Sequence, residues 1–239
     1  MRPLLKFALF FALIFLLPGS LTAGVELAGW YSSGWPRGKL SDYGYGVITT
    51  GGTARVSWAF GEKSSTERFF FTEFGYADFG VETGYQVPDP QNPALGMDAA
   101  TDLYWMMFSS GISLGKRFPN YRVYSSFFGG VSYYSALSRI SSHYRIGYPV
   151  ELLSESRGMT WHAGIGAGIK ILVWNRQPSS AEHLLDEVFL DIKADYTRGG
   201  HTEYLNWRSI RDEAGAVGFD NWDANIDFFQ LSFGLSLVF

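Results

Sequence analysis

Residues 227–239, DFFQLSFGLSLVF, constrain the fold more than any other stretch of this chain. Side chains alternate across an extended strand with period two. Phe229, Leu231, Phe233, Leu235, Leu237 and Phe239 therefore share one side, and Gln230, Ser232, Gly234 and Ser236 share the other. An unbroken apolar stripe backed by a small, polar one asks for two different surroundings at once. Lipid outside and a polar lumen inside supply them.

The same alternation marks seven earlier segments, at residues 25–31, 52–60, 67–79, 103–115, 121–133, 161–173 and 187–196. The cleanest is 161–173, where Trp161, Ala163, Ile165, Ala167, Ile169, Ile171 and Val173 alternate with His162, Gly164, Gly166, Gly168 and Lys170. Segment 67–79 is ambiguous, with phenylalanine on both faces. Connections alternate too: 61–66, 116–120 and 175–186 are short, while 32–50, 80–100, 136–158 and 197–226 are long. Strands of about 9–11 residues suffice to cross a bilayer when tilted. Hydrocarbon offers no partner to backbone N–H and C=O groups, so an open sheet edge is excluded and the last strand must pair with the first. The expectation is an all-β fold, an eight-stranded antiparallel up-and-down transmembrane β-barrel. Short periplasmic turns would close one end, with both chain termini, and long extracellular loops the other.

The front of the chain reads differently. Arg2 and Lys6 precede an apolar run at 7–17, followed by Pro18-Gly19-Ser20 and small residues up to Gly24. That is the layout of a secretory signal peptide, and eleven apolar residues fall short of the roughly 20 that span a bilayer as a helix. Cleavage after Ala23 puts Leu21 at the minus-three position; cleavage after Gly24 puts the smaller Thr22 there. We expect residues 1–23 to be removed and 24–239 to form one barrel domain. Cysteine is absent, which excludes disulfides and thiolate metal sites. A formal net charge of −4 disfavours nucleic acid as a partner.

With these strands in place, Ser232, Gly234, Leu237 and terminal Phe239 look like the C-terminal assembly signal of bacterial outer-membrane β-barrels. Over residues 24–239 the chain resembles the small OmpA, OmpX and OmpW porin-like group. The resemblance implies location in the cell outer membrane, contact with outer-membrane lipid and lipopolysaccharide, insertion by the barrel assembly machinery, and a monomer. It implies a structural, surface-interaction or limited small-solute permeation role. The OmpW alternative, passage of small hydrophobic compounds, would involve Phe69, Phe71 and Trp105 pointing into the lumen.

The inward face collects Glu26, Arg55, Glu67, Glu73, Arg122, His162, Lys170, Glu187, Asp191, Lys193 and Asp195. Eight strands leave a lumen just wide enough for side chains to fill, and unpaired buried charge is costly. A paired, plugging network is expected, with a narrow ion path as its rival. Lys170 and Lys193 are expected to face Glu73, Asp191 and Asp195. A lipid A deacylase barrel would carry a His-x-Ser pair, and His143, His162, His183 and His201 all lack it. His201 with Thr202 and Glu203 is the residual candidate, and no catalytic, cofactor or metal residue is assigned. The acidic run Asp212, Glu213, Asp220 and Asp223 lacks calcium-loop spacing.

Trp58, Tyr104, Trp161 and Tyr196 read as interface girdle residues. The long connections hold Trp35, Tyr43, Tyr45, Trp207, Phe219 and Trp222, candidate anchors for an external ligand. Arg37, Arg139, Arg145, Arg157, Arg198, Arg208 and Arg211 in them suit lipopolysaccharide phosphates.

Overall fold

Ten strands and one 3-10 turn make up a computed structural model that describes residues 24–38, 41, 48–60, 66–86, 97–142, 151–176, 185–209, 211–213 and 216–239. In chain order the strands are β1 (Val25–Pro36), β2 (Thr49–Ala59), β3 (Thr66–Gln86), β4 (Met97–Arg117), β5 (Tyr121–Ser142), β6 (Glu151–Asn175) and β7 (Glu187–Leu205). The turn Trp207–Ser209 follows, then β8 (Arg211–Glu213), β9 (Ala216–Gly218) and β10 (Asn221–Val238). Eight of these, β1 to β7 and β10, form a closed antiparallel ring, while β8 and β9 pair only with each other. Residues 1–23, expected to be a signal peptide, lie outside the described residues.

The C-terminal stretch closes the ring. β10 pairs with β1 from Glu26↔Val238 to Pro36↔Phe228. Beyond the ladder, the Gly24 N–H donates to the Phe239 carbonyl at 2.9 Å and the Phe239 N–H donates to Val25 at 3.0 Å. Gly234 is required here: a Cβ on it would meet the Trp30 Cα at 2.7 Å and overlap the Gly29 carbonyl. Following paired residues once round the ring from Glu26 leads back to β1 at Pro36, ten residues on. That even stagger returns an inward residue to an inward residue, so the two faces stay distinct. It also sets the strands at the tilt of roughly 35–45° usual for barrels.

Outward residues form an apolar belt. Phe70, Phe108, Ile112, Leu114, Phe127, Val131, Ile165, Phe233 and Leu235 are all exposed. Near the turn side Trp58 stacks on Phe70, with ring centroids 6.2 Å apart, and Phe118 stacks on Tyr121 at 4.5 Å. Toward the other end Tyr76 meets Tyr104 at 6.4 Å and Trp35 meets Phe229 at 5.9 Å, with Trp161 and Tyr196 also outward and exposed. Two aromatic girdles around an apolar band are the exterior of a transmembrane barrel.

The glycines of β6 have a geometric cause. Tyr124, Phe128 and Tyr134 of β5 are the cross-strand partners of Gly168, Gly164 and Gly158. Each ring lies over its partner, so that a Cβ on Gly168 or Gly158 would come within about 2.5 Å of a phenol. Large residues on one strand are accommodated by the missing side chains of the next.

The strands are longer than the alternation in hydropathy suggested. Much of 80–100, 136–158 and 197–226, read above as loop, is ladder: β3 runs to Gln86, β5 to Ser142 and β7 to Leu205. Beyond the outer girdle the outward positions carry Asp78, Asp102, Arg139, Arg157 and Arg198, because that wall stands in water. Backbone pairing continues there while charged residues interrupt the apolar alternation, although Tyr85, Leu153 and Met159 are still exposed. Replacing Leu235, which is half exposed in the belt, with Arg is expected to cost roughly 2–4 kcal/mol. Urea unfolding from lipid vesicles checks this, and an unchanged midpoint would contradict the belt.

The lumen as the candidate functional site

Charged side chains fill the turn-side half of the lumen in tiers. At the mouth Arg122 is held by Glu187, with Glu67 at 3.5 Å, while Arg117, half exposed, reaches Glu187 and lies 3.6 Å from Glu67. The Arg122 guanidinium lies 4.3 Å from the Phe189 ring centroid. Above this clamp Lys170 donates to Glu26. Asp191, fully buried, accepts from the Tyr124 hydroxyl at 2.8 Å and the Ser236 hydroxyl at 2.9 Å.

The next tier holds two charges of each sign. Arg55 binds Glu73 at 2.6 Å, and Lys193 lies 3.0 Å from Glu73 and 3.1 Å from Asp195. Both cations lie on aromatic faces, Arg55 at 3.8 Å from the Phe71 centroid and Lys193 at 4.2 Å from Trp30. Gly166 leaves the space that the Ser126 hydroxyl and the Asp195 carboxylate occupy, since a Cβ there would meet both. Partners that balance charge and share hydrogen bonds are what makes buried ions tolerable.

His162 stands apart from these ions. Its Nε2 is 2.7 Å from the Ser109 hydroxyl and its Nδ1 2.6 Å from the Ser132 hydroxyl, all three residues being buried. Both ring nitrogens are thus engaged. Beyond it the lumen turns apolar: Phe79, Leu103, Trp105, Met107, Tyr134 and Phe228 form one cluster. Trp105 lies 5.3 Å from Phe228 and 6.0 Å from Phe79, and Phe79 meets Phe228 edge-on at 6.5 Å.

Arg55, Glu73, Arg122, His162, Lys170, Asp191, Lys193 and Asp195 all point inward, but they divide otherwise than expected. Lys193 meets Glu73 and Asp195, whereas Lys170 takes Glu26 and Asp191 takes two hydroxyls. The cause is reach along the lumen. Lys170 and Asp191 are direct cross-strand partners, yet the ammonium extends to a carboxylate on another wall. The expectation of a polar lumen is corrected at its outer end by the apolar cluster. Its signal was the parity itself, carried to Ala77 and Phe79 on β3 and past 133 on β5. Phe69, Phe71 and Trp105 also point inward, but Phe71 supports Arg55 and Trp105 belongs to the apolar cluster.

Of the assembly-signal residues, Ser232 bonds Ser32 at 2.9 Å, Gly234 lies against β1, Leu237 pairs with Leu27, and Phe239 makes the closing bonds. Arg139, Arg157 and Arg198 stand on strands rather than loops, Trp222 is in β10, and Tyr43, Tyr45 and Arg145 lie outside the described residues. His201, exposed, has its Nδ1 2.9 Å from Asp223, and the Thr202 hydroxyl donates to the Ala224 carbonyl at 3.1 Å. No group of three or more metal-ligating side chains occurs among the described residues.

A closed eight-stranded ring, apolar and girdled outside, ion-paired inside, defines a small transmembrane β-barrel of the outer-membrane type. No protein-family model and no curated protein sequence matches the chain. Among solved structures it is similar to Neisserial surface protein A, at 15% identity and a TM-score of 0.45, covering 91% of this chain and 98% of that one. It is also similar to the attachment invasion locus protein Ail of Yersinia pestis in complex with the heparin analogue sucrose octasulfate. There the identity is 11% and the TM-score 0.42, over 91% of this chain and 100% of that one. Outer membrane protein AlkL matches at 16% identity and a TM-score of 0.28, over 93% of both chains. Likeness at these scores is no basis for function, which has to come from the chain's own residues.

Replacing Glu73 with Gln would take from Arg55 its paired carboxylate and leave Lys193 with Asp195 alone, and is expected to cost roughly 3–5 kcal/mol, as for removing one partner of a buried pair. Arg117→Ala at the half-exposed mouth should cost less than about 1 kcal/mol. Urea unfolding of the two variants in lipid vesicles checks the contrast, and equal midpoints would remove the distinction.

Proposed function

We propose that this protein is an integral barrel of the cell outer membrane whose lumen is closed, with a structural and surface-facing role and no enzymatic activity. One observation carries the reading. The lumen is blocked twice, by the Arg55–Glu73–Lys193–Asp195 tier and by the Trp105–Phe79–Phe228 cluster. Ions would have to separate buried pairs and then pass an apolar stopper. Among the described residues, the wall beyond the outer girdle, where Arg139, Arg157 and Arg198 are exposed, is available for interaction.

The belt and girdles support contact with outer-membrane lipid, and the outer arginines suit lipopolysaccharide phosphates. The apolar and small-residue faces of β10, which closes the ring, support handling by the barrel assembly machinery, and the ring, formed by strands of one chain, supports a monomer. Passage of small hydrophobic compounds finds less support, since every neighbouring pair of ring strands is hydrogen-bonded through the apolar belt and Phe71 and Trp105 are engaged.

In planar lipid bilayers the protein is expected to give no unitary current, and steady single-channel steps from the wild-type protein would overturn the closed-lumen reading. Lipid A from cells with and without the protein is expected to show the same acyl pattern by mass spectrometry. A changed pattern would establish an enzymatic activity that no residue described here explains.

A further inference from the structure

Above the outer girdle the wall of β3, β4 and β5 carries its outward side chains in cross-strand rows. Thr83, Ala100 and Arg139 make one row, and Tyr85, Asp98 and Ser141 make the next. Across these rows lies a groove of about 550 Å³, within the size range of small-ligand sites. Its shape follows from residue size, since Ala100 presents only a methyl group between Thr83 and the long Arg139. The floor is firm: on the inward side of the same strands Ala99, Thr101, Ser138 and Ile140 are buried, and Thr101 bonds Ser138 at 2.9 Å.

The chemistry of this groove suits a sugar. Tyr85 is more than half exposed on a wall that faces water, beyond the girdle pair Tyr76 and Tyr104. Such a ring offers an apolar face to a sugar ring and a hydroxyl at its edge. The exposed Arg139 supplies a planar fork of donors, and the Thr83 and Ser141 hydroxyls both give and accept. Charge disfavours a phosphate. Among the described residues the outward face here carries Asp78, Asp98 and Asp102 against Arg139. Partial burial, and then the neighbouring Asp78, hold the Asp102 carboxyl above its usual range, with Arg139 opposing them. A neutral ligand rich in hydroxyls meets both signs without that repulsion.

We infer that this groove holds a neutral sugar of the lipopolysaccharide in the surrounding leaflet, its ring on Tyr85 and its hydroxyls on Arg139, Thr83 and Ser141. Position selects the source. The groove lies on the outward face of the wall and so opens sideways, toward the neighbouring lipid molecules. From Tyr104 to Ala100, β4 rises on the order of 13 Å along the strand. That carries the groove past the headgroup level at which girdle aromatics sit. The inference rests on the lipopolysaccharide contact of the proposed role and adds a separate part to it. The exposed Arg157 and Arg198 meet phosphates, the groove meets sugars, and neither depends on whether the lumen conducts.

The test is NMR on the whole protein in nanodiscs containing either lipid A alone or lipopolysaccharide with its core sugars. The Arg157 and Arg198 guanidinium signals are expected to respond in both discs, the Tyr85 ring and Ala100 methyl signals only where sugars are present. Raising the salt, which screens phosphate contacts, should leave the Tyr85 response in place. Ala100→Leu fills the groove and Tyr85→Ala removes its platform. Each should weaken binding of phosphate-free core oligosaccharide at least tenfold, while Tyr85→Phe and, on the neighbouring strand, Arg157→Ala keep it. Unmoved amides of Ile165 and Ile192 in the β6–β7 ladder verify an intact barrel. Responses at Arg157 and Arg198 with none at Tyr85 would overturn the groove and leave the phosphate contact standing. A Tyr85 response to lipid A alone, or oligosaccharide binding that survives Ala100→Leu, would overturn the sugar assignment. Binding of the free oligosaccharide without a response to the membrane-borne sugars would overturn the source.

Discussion

Hydrocarbon cannot hydrogen-bond, and the rest of the structure depends on that. A chain crossing it in strands must satisfy every backbone group from the chain itself, so the sheet has to meet its own edge. Here the meeting is between β1 and β10, and its fit is atomic: Gly234 yields space to Gly29 and Trp30, and the terminal Phe239 extends the ladder by its own N–H and C=O. The stagger of ten follows the ring round and keeps each strand's two faces in their own solvents.

Closure of so few strands creates a second constraint, on the inside. An eight-stranded lumen has room for side chains and little else. Polar residues that face away from lipid are therefore driven against one another, and each charge has to find its opposite within the tube. The ions sort into tiers because the reach of a side chain, more than its rung on the ladder, decides what it meets. Lys170 passes over its neighbour Asp191 to reach Glu26, and two hydroxyls supply what Asp191 lacks. Nearer the outside the tiers give way to aromatic packing, where closure needs no charge. A buried pair is weak evidence for stability in itself; what these pairs do in this lumen is fill it.

How much of this is legible without coordinates depends on which physical force sets each feature. Lipid reads one face of every strand, so the outward stripe Leu231–Phe233–Leu235–Leu237 and the parity of Arg55, Glu73 and Lys193 are visible in the chain itself. Strand length is not, because the wall beyond Tyr104 and Trp161 stands in water, where charged residues such as Asp102, Arg139 and Arg157 break the apolar alternation while the backbone ladder continues. The apolar cluster was half visible: Trp105 and Phe79 have inward parity, but nothing local joins them to Tyr134 and Phe228, which come from other strands.

The amino-acid sequence by itself determined that the protein is a barrel, which residues face lipid and which face inward, since periodicity along a strand is a local property imposed by two solvents. Only the tertiary structure decided who pairs with whom across the lumen and where charge yields to aromatic packing. Those features are set by distances between residues far apart in the chain, fixed by the stagger of the ring and by the reach of each side chain.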